Sequence, residues 1–346
     1  MQRFSPKVKN PEEFLLSSII GRGVQQSFNN ELYLLLIMVN LSKKKIQEIF
    51  DAHSLGTVRT KKILQEGVSN PAYIINDEIV LRIKKDSREF KFEKEKFLFD
   101  LLKKKTDLPV PKVIDLDTSK KIIPQDYILL EKLPGELLKK SFSKLSQDQK
   151  KKLAYELGLF LAKIQSIHFK TIGHFKPDKL VKDMSWPTFV WGIYTDSLKG
   201  IKKGKFLDEN LITRISLFIK NNKNLLDVKF KPSLIHSDYN GGNILIHNGK
   251  ISGIFDMEWS YSGHTEYELS AMNLKLMRTI SPYQRDFFKG YESKIKRRKN
   301  HKQFESFYGI IYWMSIICWI YDENAKISPK KYIDEIKRQL RKAEHP

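Results

Sequence analysis

Apolar residues recur along this chain with two different periods, and the change of period separates a strand-rich part from a helix-rich part. Helical spacing occurs at 41–53, where Ser42 is a candidate N-cap, and again at 89–103. Short apolar runs rich in β-branched residues predict the strands 60–65, 72–75, 78–83 and 127–131, and the proline-containing segment 108–113 breaks the second helix and enters a further strand. Pro134-Gly135 then marks a boundary, because this dipeptide interrupts both helices and strands.

Beyond that boundary the pattern becomes mainly helical. Segment 147–167 places Leu153, Leu157 and Leu161 on one stripe of a long helix. The longest apolar stretch, 307–321, is shorter than the roughly 20 residues that cross a bilayer, so it predicts a buried helix and no membrane span. The aromatic residues expected mostly in the core of this part are Trp186, Phe189, Trp191, Tyr194, Tyr312, Trp313, Trp319 and Tyr321.

One stretch within the helix-rich part reads as strands again and carries a dense set of polar residues. Residues 234–260 read LIHSDYNGGNILIHNGKISGIFDMEWS. Asn248-Gly249 lies between two apolar runs, which is the strongest short signal for a two-residue hairpin turn. With that turn, Asn243 comes out beside Ile254, two residues before Asp256.

This register predicts that Asp238, Asn243 and Asp256 gather at the open end of the hairpin. A carboxylate and an amide can share a hard cation through oxygen ligands, which suits Mg²⁺ carrying phosphates. Asp238 is then placed to accept a proton from a substrate hydroxyl while the metal stabilises the transferring phosphoryl group. The spacing H-x-D-x-x-x-x-N alone arises by chance in roughly one chain of this length in a hundred, so the hairpin context carries the interpretation.

The stretch HSDYNGGNIL followed by GIFDMEWS resembles the catalytic loop and metal-binding segment of the aminoglycoside phosphotransferase family, which are small-molecule kinases related to choline kinase. The resemblance implies an α+β, two-lobed protein-kinase-like fold with a small antiparallel-sheet lobe and a larger, mainly helical lobe. It also implies transfer of a γ-phosphoryl group from ATP, with GTP left open, to a hydroxyl group of a small molecule. Asp238 would be the catalytic base, Asn243 and Asp256 the Mg²⁺ ligands, and His236 a brace of the loop. Glu258 in D-x-E-W also matches the family.

Further residues resemble the nucleotide-binding half of the family. The turn GVSNP is similar to the nucleotide loop, in which backbone N–H groups of Gly67, Ser69 and Asn70 can approach phosphate oxygens. Arg82 matches the position of the phosphate-contacting cation, and Lys84 is a competing candidate on the same strand face.

The helix that follows supplies the expected partner of this cation. Glu95 occupies the family position for the acidic partner of Arg82, with Glu93 as an alternative and a solvated helix face as the competing interpretation. The backbone around Glu131 to Leu133 resembles the hinge between the lobes, which would hydrogen-bond the nucleotide base.

After Ser260 the chain departs from the family pattern, which has Gly-Asp-Pro and then Asp-Leu-Ala. His264 and Thr265 stand in place of the Asp-Pro pair, and Glu268 replaces the second aspartate. These departures weaken the expectation that the loop is braced as in the family, and His264 is predicted to be a surface residue. Four acidic residues could bind amines of an acceptor or could be solvated: Asp322, Glu323, Asp334 and Glu335.

The charge balance changes the picture of the partners. Lys and Arg number 62 against 40 Asp and Glu, a net charge of +22, which favours anionic partners. The lysines are scattered without aromatic interleaving, so a solvated surface is predicted rather than specific nucleic-acid binding. A polycationic acceptor would be repelled unless acidic side chains line its pocket. The alternative functions are a catalytically silent nucleotide-binding pseudokinase and, less favoured, a basic nucleic-acid-binding protein.

The remaining expectations concern organisation and setting. The single cysteine, Cys318, excludes an internal disulfide and any Cys-based metal cluster, and a buried inert thiol in a cytoplasmic protein is predicted. Residues 1–37 are predicted to be an N-terminal extension outside the fold, and one hypothesis is that translation begins at Met38. Residues 38–133 are predicted to form the nucleotide-binding lobe, and 134–346 the catalytic and acceptor-binding lobe. The sequence leaves the oligomeric state open.

Overall fold

A computed structural model describes residues 41–64, 70–84, 91–176, 179–180, 184–272, 274–322 and 327–344. The helices in these segments are α1 (Lys43–Ala52), α2 (Lys91–Lys105), α3 (Leu138–Ser141), α4 (Gln147–Gln165), α5 (Trp186–Gly204), α6 (Glu209–Asn221), α7 (Thr265–Ala271), α8 (Leu276–Thr279), α9 (Gln284–Glu292), α10 (His301–Asp322) and α11 (Lys330–Glu344). The strands are β1 (Lys61–Leu64), β2 (Ala72–Ile75), β3 (Ile79–Ile83), β4 (Val113–Asp117), β5 (Tyr127–Glu131), β6 (Glu136–Leu137), β7 (Gly173–Lys176), β8 (Lys179–Leu180), β9 (Ser233–Ile235), β10 (Ile244–His247), β11 (Lys250–Ile254) and β12 (Tyr261–Gly263).

The chain divides into two compact units. The described parts of 1–87 and 117–129 belong to the first unit, and those of 88–116 and 130–346 belong to the second. The predicted boundary before Pro134 lies near one crossing between the units, whereas α2 groups with the second unit. The predicted extension at 1–37 lies outside the described residues.

The first unit begins with a helix whose start is set by its cap. The Ser42 hydroxyl accepts a hydrogen bond from the Lys45 N–H at 3.1 Å, which satisfies one of the free donors at the helix start. Ile46, Ile49 and Phe50 form its buried face, as their spacing predicts.

The strands of the first unit belong to one sheet, and buried residues alternate with partly exposed ones in β2 and β3. Strands β1, β2 and β3 pair antiparallel, and the sheet order is β1-β2-β3-β5-β4. Asn76 and Asp77 form the β2–β3 turn with φ angles of 56° and 60°, which suit a tight hairpin. The presence of an antiparallel five-stranded sheet and of a mainly helical part confirms the expected α+β fold class.

In the second unit, α4 and α9 approach so closely that two glycines are required where they cross. A Cβ atom at Gly158 would lie 1.9 Å from the carbonyl oxygen of Phe287, and one at Gly290 would lie 1.9 Å from that of Tyr155. Any side chain at either position would therefore force the two backbones apart, so this contact fixes the position of α4.

The aromatic core of the second unit lies around Trp186 at the start of α5. Its indole N–H donates to the Tyr308 hydroxyl of α10 at 2.8 Å, so the buried polar atom is satisfied. The prediction for Trp191 is wrong, because its position on the outer face of α5 leaves it 42% exposed. Trp319 and Tyr321 are only partly buried near the end of α10.

The expectation for His264 is also wrong. This residue is 2% exposed and packs against Trp186, Phe230 and Phe304, with its Nδ1 atom 3.2 Å from the Tyr308 hydroxyl. Burial lowers the pKa of His264 to about 3, so the ring is a neutral core residue.

Helix α10 contains the longest apolar stretch and is largely buried, as predicted. In the part of the chain that the structure describes, no helix is both long enough and apolar enough to span a membrane.

Candidate active site

The hairpin β10–β11 has the predicted turn but a different register at its open end. Asn248 and Gly249 have φ angles of 51° and 72°, the left-handed conformation that a two-residue turn of this type requires. A bulge between Leu245 and Ile246 then shifts the pairing by one residue. Ile254 therefore faces Ile244 rather than Asn243.

The bulge brings the two proposed metal-ligand positions closer than the regular register would. The N–H of Phe255 donates to the carbonyl oxygen of Asn243 at 3.1 Å, so Asn243 lies opposite the residue before Asp256. Ser252 is the extra residue, and its hydroxyl donates to the carbonyl oxygen of Pro134 at 2.5 Å. This contact explains the bulge, because it requires Ser252 to turn out of the pairing.

Asp238 and Asn243 are joined directly. The side-chain amide of Asn243 donates to Asp238 Oδ2 at 2.7 Å and to the Asp238 carbonyl at 3.0 Å. The Asn240 side chain accepts from the Gly242 N–H at 2.7 Å, which closes the intervening loop. Because the amide nitrogen of Asn243 faces Asp238, its Oδ1 atom is left as the ligand-type oxygen.

His236 braces the loop in one tautomer. The N–H of Asp238 donates to its Nδ1 atom at 3.3 Å, so the ring proton lies on Nε2, which is 3.2 Å from the carbonyl of Phe255. The residue is 0% exposed, and burial lowers its pKa. A neutral imidazole therefore ties the catalytic loop to the end of β11.

Asp256 follows the hairpin in a left-handed conformation with a φ angle of 67°. Two residues later, Glu258 forms a buried ion pair with Lys91 of α2, with 2.7 Å between the Lys91 Nζ and Glu258 Oε2 atoms. The Lys94 ammonium also donates to the Glu258 carbonyl. Helix α2 is thereby fixed to the segment that carries Asp256, which the sequence did not predict.

A buried carboxylate beneath the loop is a further functional residue that sequence reasoning missed. Glu268 Oε1 accepts from the Ser237 N–H at 2.8 Å, and Oε2 accepts from the His236 N–H at 3.2 Å and from the Gln165 amide at 2.9 Å. The expectation of weakened bracing is therefore wrong. The sequence did contain a signal for this role, because Glu268 keeps the carboxylate of the aspartate that it replaces. Its longer side chain can still reach two backbone donors.

Glu268 predicts a measurable pH dependence of stability. Burial raises its pKa from 4.5 to about 7, so its contribution to the free energy of unfolding is present below pH 4.5 and is lost as the pH rises through 7. The difference in unfolding free energy between the native protein and Glu268→Gln should fall by about 3 kcal/mol between pH 5 and pH 8. Urea unfolding across this range measures it, with Glu292→Gln at the protein surface as control; a difference independent of pH would contradict the assignment.

A second unexpected residue contacts the candidate base. Lys275 precedes α8 and places its Nζ atom 2.5 Å from Asp238 Oδ1. Burial alone would raise the pKa of Asp238, but the charge and hydrogen bond of Lys275 hold it below its ordinary value. Burial would likewise lower the pKa of Lys275, yet its contacts with Tyr312 and Asp238 raise it. Both groups are therefore ionised at neutral pH.

The candidate residues of the nucleotide-binding half are partly described. Gly67 and Ser69 lie outside the described residues, and Asn70 is half-buried before β2. Arg82 lies on β3 opposite Ala72. Glu95 is 0% exposed on α2, which excludes the solvated helix face as its explanation. The pairing of Arg82 with Glu95 stays a prediction.

Two further contacts bear on the alternative cation, Lys84, and on the backbone groups proposed to contact the nucleotide base. Lys84, the competing cation, lies 2.9 Å from Asp126 in a mostly buried ion pair. The N–H of Glu131 donates to the carbonyl of Lys112 at 2.9 Å. Any contact of Glu131 with a nucleotide base would therefore use its carbonyl oxygen, and the N–H of Leu133 is the candidate donor.

The three described acidic residues near the C-terminus, Asp322, Asp334 and Glu335, have different surroundings. Glu335 is 5% exposed and accepts from Arg338 and Gln339, while Asp334 is exposed. Asp322 lies 3.3 Å from the Cys318 thiol, whose pKa burial and this contact raise to about 11. Cys318 is partly buried and protonated, and Glu323 lies outside the described residues.

The oxygen atoms at the end of the hairpin suit a hard divalent cation. Asn243 offers an amide oxygen and Asp256 a carboxylate, the ligand types that Mg²⁺ takes together with phosphate oxygens. Among the described residues, here or elsewhere, no group of three or more His, Cys, Asp or Glu side chains could hold a metal ion by itself. Asn243 and Asp256 therefore fit a metal that is shared with a bound phosphate chain.

The chain resembles solved structures of aminoglycoside kinases over most of its length. The streptomycin–ATP ternary complex of APH(2″)-IIa is 17% identical with a TM-score of 0.62, covering 87% of this chain and 97% of that one. A GDP and kanamycin complex of an APH(2″) enzyme is 14% identical with a TM-score of 0.66, covering 88% and 100%. A thermostable mutant of APH(4)-Ia is 15% identical with a TM-score of 0.66 and the same coverage.

At these identities the structural likeness shows the fold, and it confirms the kinase-like architecture implied by the catalytic motif. None of the curated proteins matches the sequence. The model of the phosphotransferase enzyme family (APH) matches residues 61–299, which include both the strands of the first unit and the whole catalytic stretch. The chain belongs to the phosphotransferase enzyme family, whose members transfer phosphoryl groups to hydroxyl acceptors.

Proposed function

We propose that this protein transfers the γ-phosphoryl group of ATP or GTP to a hydroxyl group of a small molecule, with Asp238 as the catalytic base. One observation carries the proposal: Asn243 donates to the Asp238 carboxylate at 2.7 Å and is itself paired to the strand residue before Asp256. A base and two metal-type oxygens thus belong to one hydrogen-bonded loop.

In the proposed reaction, Asp238 orients the acceptor hydroxyl and receives its proton as the oxygen attacks the γ-phosphorus. A new P–O bond forms to the acceptor, the bond to the β-phosphate oxygen breaks, and a nucleoside diphosphate leaves. Most of the rate acceleration comes from positioning and charge neutralisation. The rigid hydrogen bonds of His236 and Glu268 serve that positioning by holding the loop backbone.

Asn243 Oδ1 and the Asp256 carboxylate are the residues that would hold Mg²⁺. When bound, Mg²⁺ neutralises the charge that builds up on the transferring phosphoryl group. Arg82, with Glu95 as its proposed partner, would steady the phosphates, and Gly67, Ser69 and Asn70 would surround them.

The identity of the nucleotide is proposed from the ligands bound in the similar structures. One similar structure is a complex with ATP and another a complex with GDP, which supports a site for either purine nucleotide. The backbone of Glu131 and Leu133 would contact the base. The small-molecule acceptor is supported by the aminoglycosides in those same complexes.

Removal of the carboxylate at Asp256 tests the proposal. Asp256→Ala should weaken nucleotide binding in the presence of Mg²⁺ by about 100-fold, because the cation loses its charged ligand. Binding without Mg²⁺ should change by less than about threefold, since the direct contacts with the base and phosphates remain. Isothermal titration calorimetry with and without Mg²⁺ measures both constants.

The control is Asp196→Ala, which removes an exposed carboxylate that pairs only loosely with Lys199. Equal Mg²⁺ dependence in the native protein and Asp256→Ala would contradict the metal assignment. A screen of nucleotide consumption over hydroxyl compounds tests turnover itself. Nucleotide binding without turnover for any acceptor would favour the pseudokinase alternative, and salt-dependent binding of random DNA would favour the nucleic-acid alternative.

A further inference from the structure

Both carboxylate oxygens of the candidate base have partners within the protein. Asp238 Oδ2 accepts from Asn243 at 2.7 Å, and Oδ1 lies 2.5 Å from the Lys275 ammonium. The side chains of Asp238 and Lys275 are each 25% exposed, so the ion pair lies in a recess and is still reachable from solvent. An acceptor hydroxyl that reaches Asp238 therefore meets a lysine there.

Besides the ion pair with Asp238, Lys275 has a contact with an aromatic ring and a backbone hydrogen bond that fix its position. Its Nζ atom lies 5.3 Å from the centre of the Tyr312 ring, a distance at which a cation is attracted to an aromatic face. Tyr312 is buried in α10, and the Lys275 N–H donates to the carbonyl of Met272 at 3.0 Å. The ammonium group is consequently part of the site and differs from a lysine on an open surface.

The position of Lys275 sets the charge that an acceptor encounters. A carboxylate oxygen can accept two hydrogen bonds, so Asp238 Oδ1 can hold Lys275 and an acceptor hydroxyl together. A hydroxyl oxygen bound at about 2.7 Å to Oδ1 then lies roughly 4–5 Å from the ammonium nitrogen. Groups on the neighbouring carbon atom of the acceptor are at a similar distance.

At this distance the sign of the charge on an acceptor matters. Two like charges about 5 Å apart in a partly buried site repel by an amount equivalent to about a 100-fold loss of affinity, and opposite charges gain comparably. Lys275 neutralises Asp238 at a distance, so the pair as a whole attracts neither sign of charge. Only a group that lies nearer to the ammonium than to the carboxylate meets a positive charge. Glu268 does not supply a negative charge there, because its carboxylate faces the N–H groups of His236 and Ser237 beneath the loop.

Lys139 is a second cation near the loop. The Lys139 Nζ atom lies 3.8 Å from the position that a Cβ atom at Gly242 would occupy, and the Lys139 N–H donates to the carbonyl of Gly241. The whole chain carries a net charge of +22. Lys139 and the long-range field of the whole chain therefore favour an anionic acceptor.

We infer that the acceptor of this enzyme carries an anionic group, a carboxylate or a phosphate, beside the hydroxyl that receives the phosphoryl group, and that Lys275 binds this anion. The inference rests on the proposed phosphotransfer at Asp238 and names its substrate class. Lys275 thus selects hydroxy compounds that are acidic and disfavours amino alcohols and aminoglycosides.

Matched acceptors on one carbon skeleton test this selection. Glycerate, glycerol 3-phosphate, glycerol and 3-amino-1,2-propanediol share three carbons and differ in charge, and hydroxy acids, sugar phosphates, sugars and aminoglycosides extend the panel. The native protein should show a kcat/KM about 100-fold higher for anionic acceptors than for amines of the same skeleton. Comparison of glycerate with glycerol 3-phosphate shows whether a carboxylate or a phosphate is preferred.

Variants at Lys275 separate charge selection from general damage. Lys275→Gln should remove the preference for anionic acceptors, so that the ratio of kcat/KM between anionic and neutral acceptors falls about 100-fold. The ratio is the readout, because any change in Asp238 itself affects both kinds of acceptor and cancels. Lys275→Arg should retain the preference for anions. Lys289→Gln removes an exposed lysine of α9 and controls for the loss of one unit of net charge. Thermal unfolding of each variant shows whether it remains folded.

Three results would overturn the inference while leaving phosphotransfer intact. The first is an amine as the best acceptor of the native protein, and the second is an unchanged charge preference in Lys275→Gln. The third is an equal rise in activity toward all acceptors in Lys275→Gln, which is expected if the lysine only covers Asp238. Absence of transfer to every acceptor, with no nucleotide hydrolysis, would instead contradict the proposed function itself.

Discussion

Replacement of Asp238 by asparagine is expected to lower kcat for phosphoryl transfer by about 1,000-fold, within the range found when a general base is removed. The amide cannot accept the hydroxyl proton, although its shape still fits between Asn243 and Lys275. Nucleotide affinity should change by less than about threefold, because Asp238 belongs to the acceptor side of the proposed reaction. Single-turnover transfer and calorimetric nucleotide binding measure the two effects separately.

A carboxylate in a similar environment outside the site provides the control. Asp286 of α9 has a 27% exposed side chain and lies 3.8 Å from Lys289, so Asp286→Asn also removes a partly buried acid paired with a lysine. Its kcat should stay within about twofold of the native value, as for most surface substitutions. Retention of more than a tenth of the native rate by Asp238→Asn would rule out its role as the base.

Replacement of Lys91 by methionine is expected to lower the free energy of unfolding by about 3–5 kcal/mol. Lys91 and Glu258 have side chains 2% and 1% exposed, so loss of the cation leaves a carboxyl group in the interior without its opposite charge. The loss should also disturb the segment that carries Asp256, two residues before Glu258. Urea unfolding monitored by tryptophan fluorescence measures the stability.

The double variant Lys91→Met with Glu258→Met distinguishes a missing charge from missing packing. Two apolar side chains of similar volume remove both buried charges, so most of the lost stability should return. Lys96→Met is the control on the same helix, because the exposed pair of Lys96 with Asp100 contributes no more than about 1 kcal/mol. A double variant that is less stable than Lys91→Met would show that the ion pair itself stabilises the fold.

Local patterns were sufficient for the elements that depend on neighbouring residues. The cap at Ser42, the stripe of α4 and the turn at Asn248-Gly249 all follow from contacts within a few residues, and the structure has each of them. The register at the open end of the hairpin did not follow, because Ser252 bonds to Pro134 from a distant part of the chain. The bulge at Ser252 places Asn243 opposite Phe255.

The partners of the ionisable side chains could not be predicted from the sequence either, because they too come from distant parts of the chain. Lys91 and Glu258 are separated by more than 160 residues, and Lys275 and Asp238 by 37. A charged residue on a helix reads as solvated unless its burial is known, and burial depends on which elements pack against it. His264 shows the same limit, since its aromatic neighbours come from α5, from α10 and from Phe230 before β9.

The sequence by itself determined the family, the α+β architecture and the candidate chemistry of Asp238, Asn243 and Asp256, because motif spacing and hydrophobic period are local properties. The tertiary structure alone decided what surrounds that chemistry. It placed Glu268 beneath the loop that carries Asp238, and Lys275 against Asp238, the candidate base, since long-range packing sets the burial and the charge partners of each side chain.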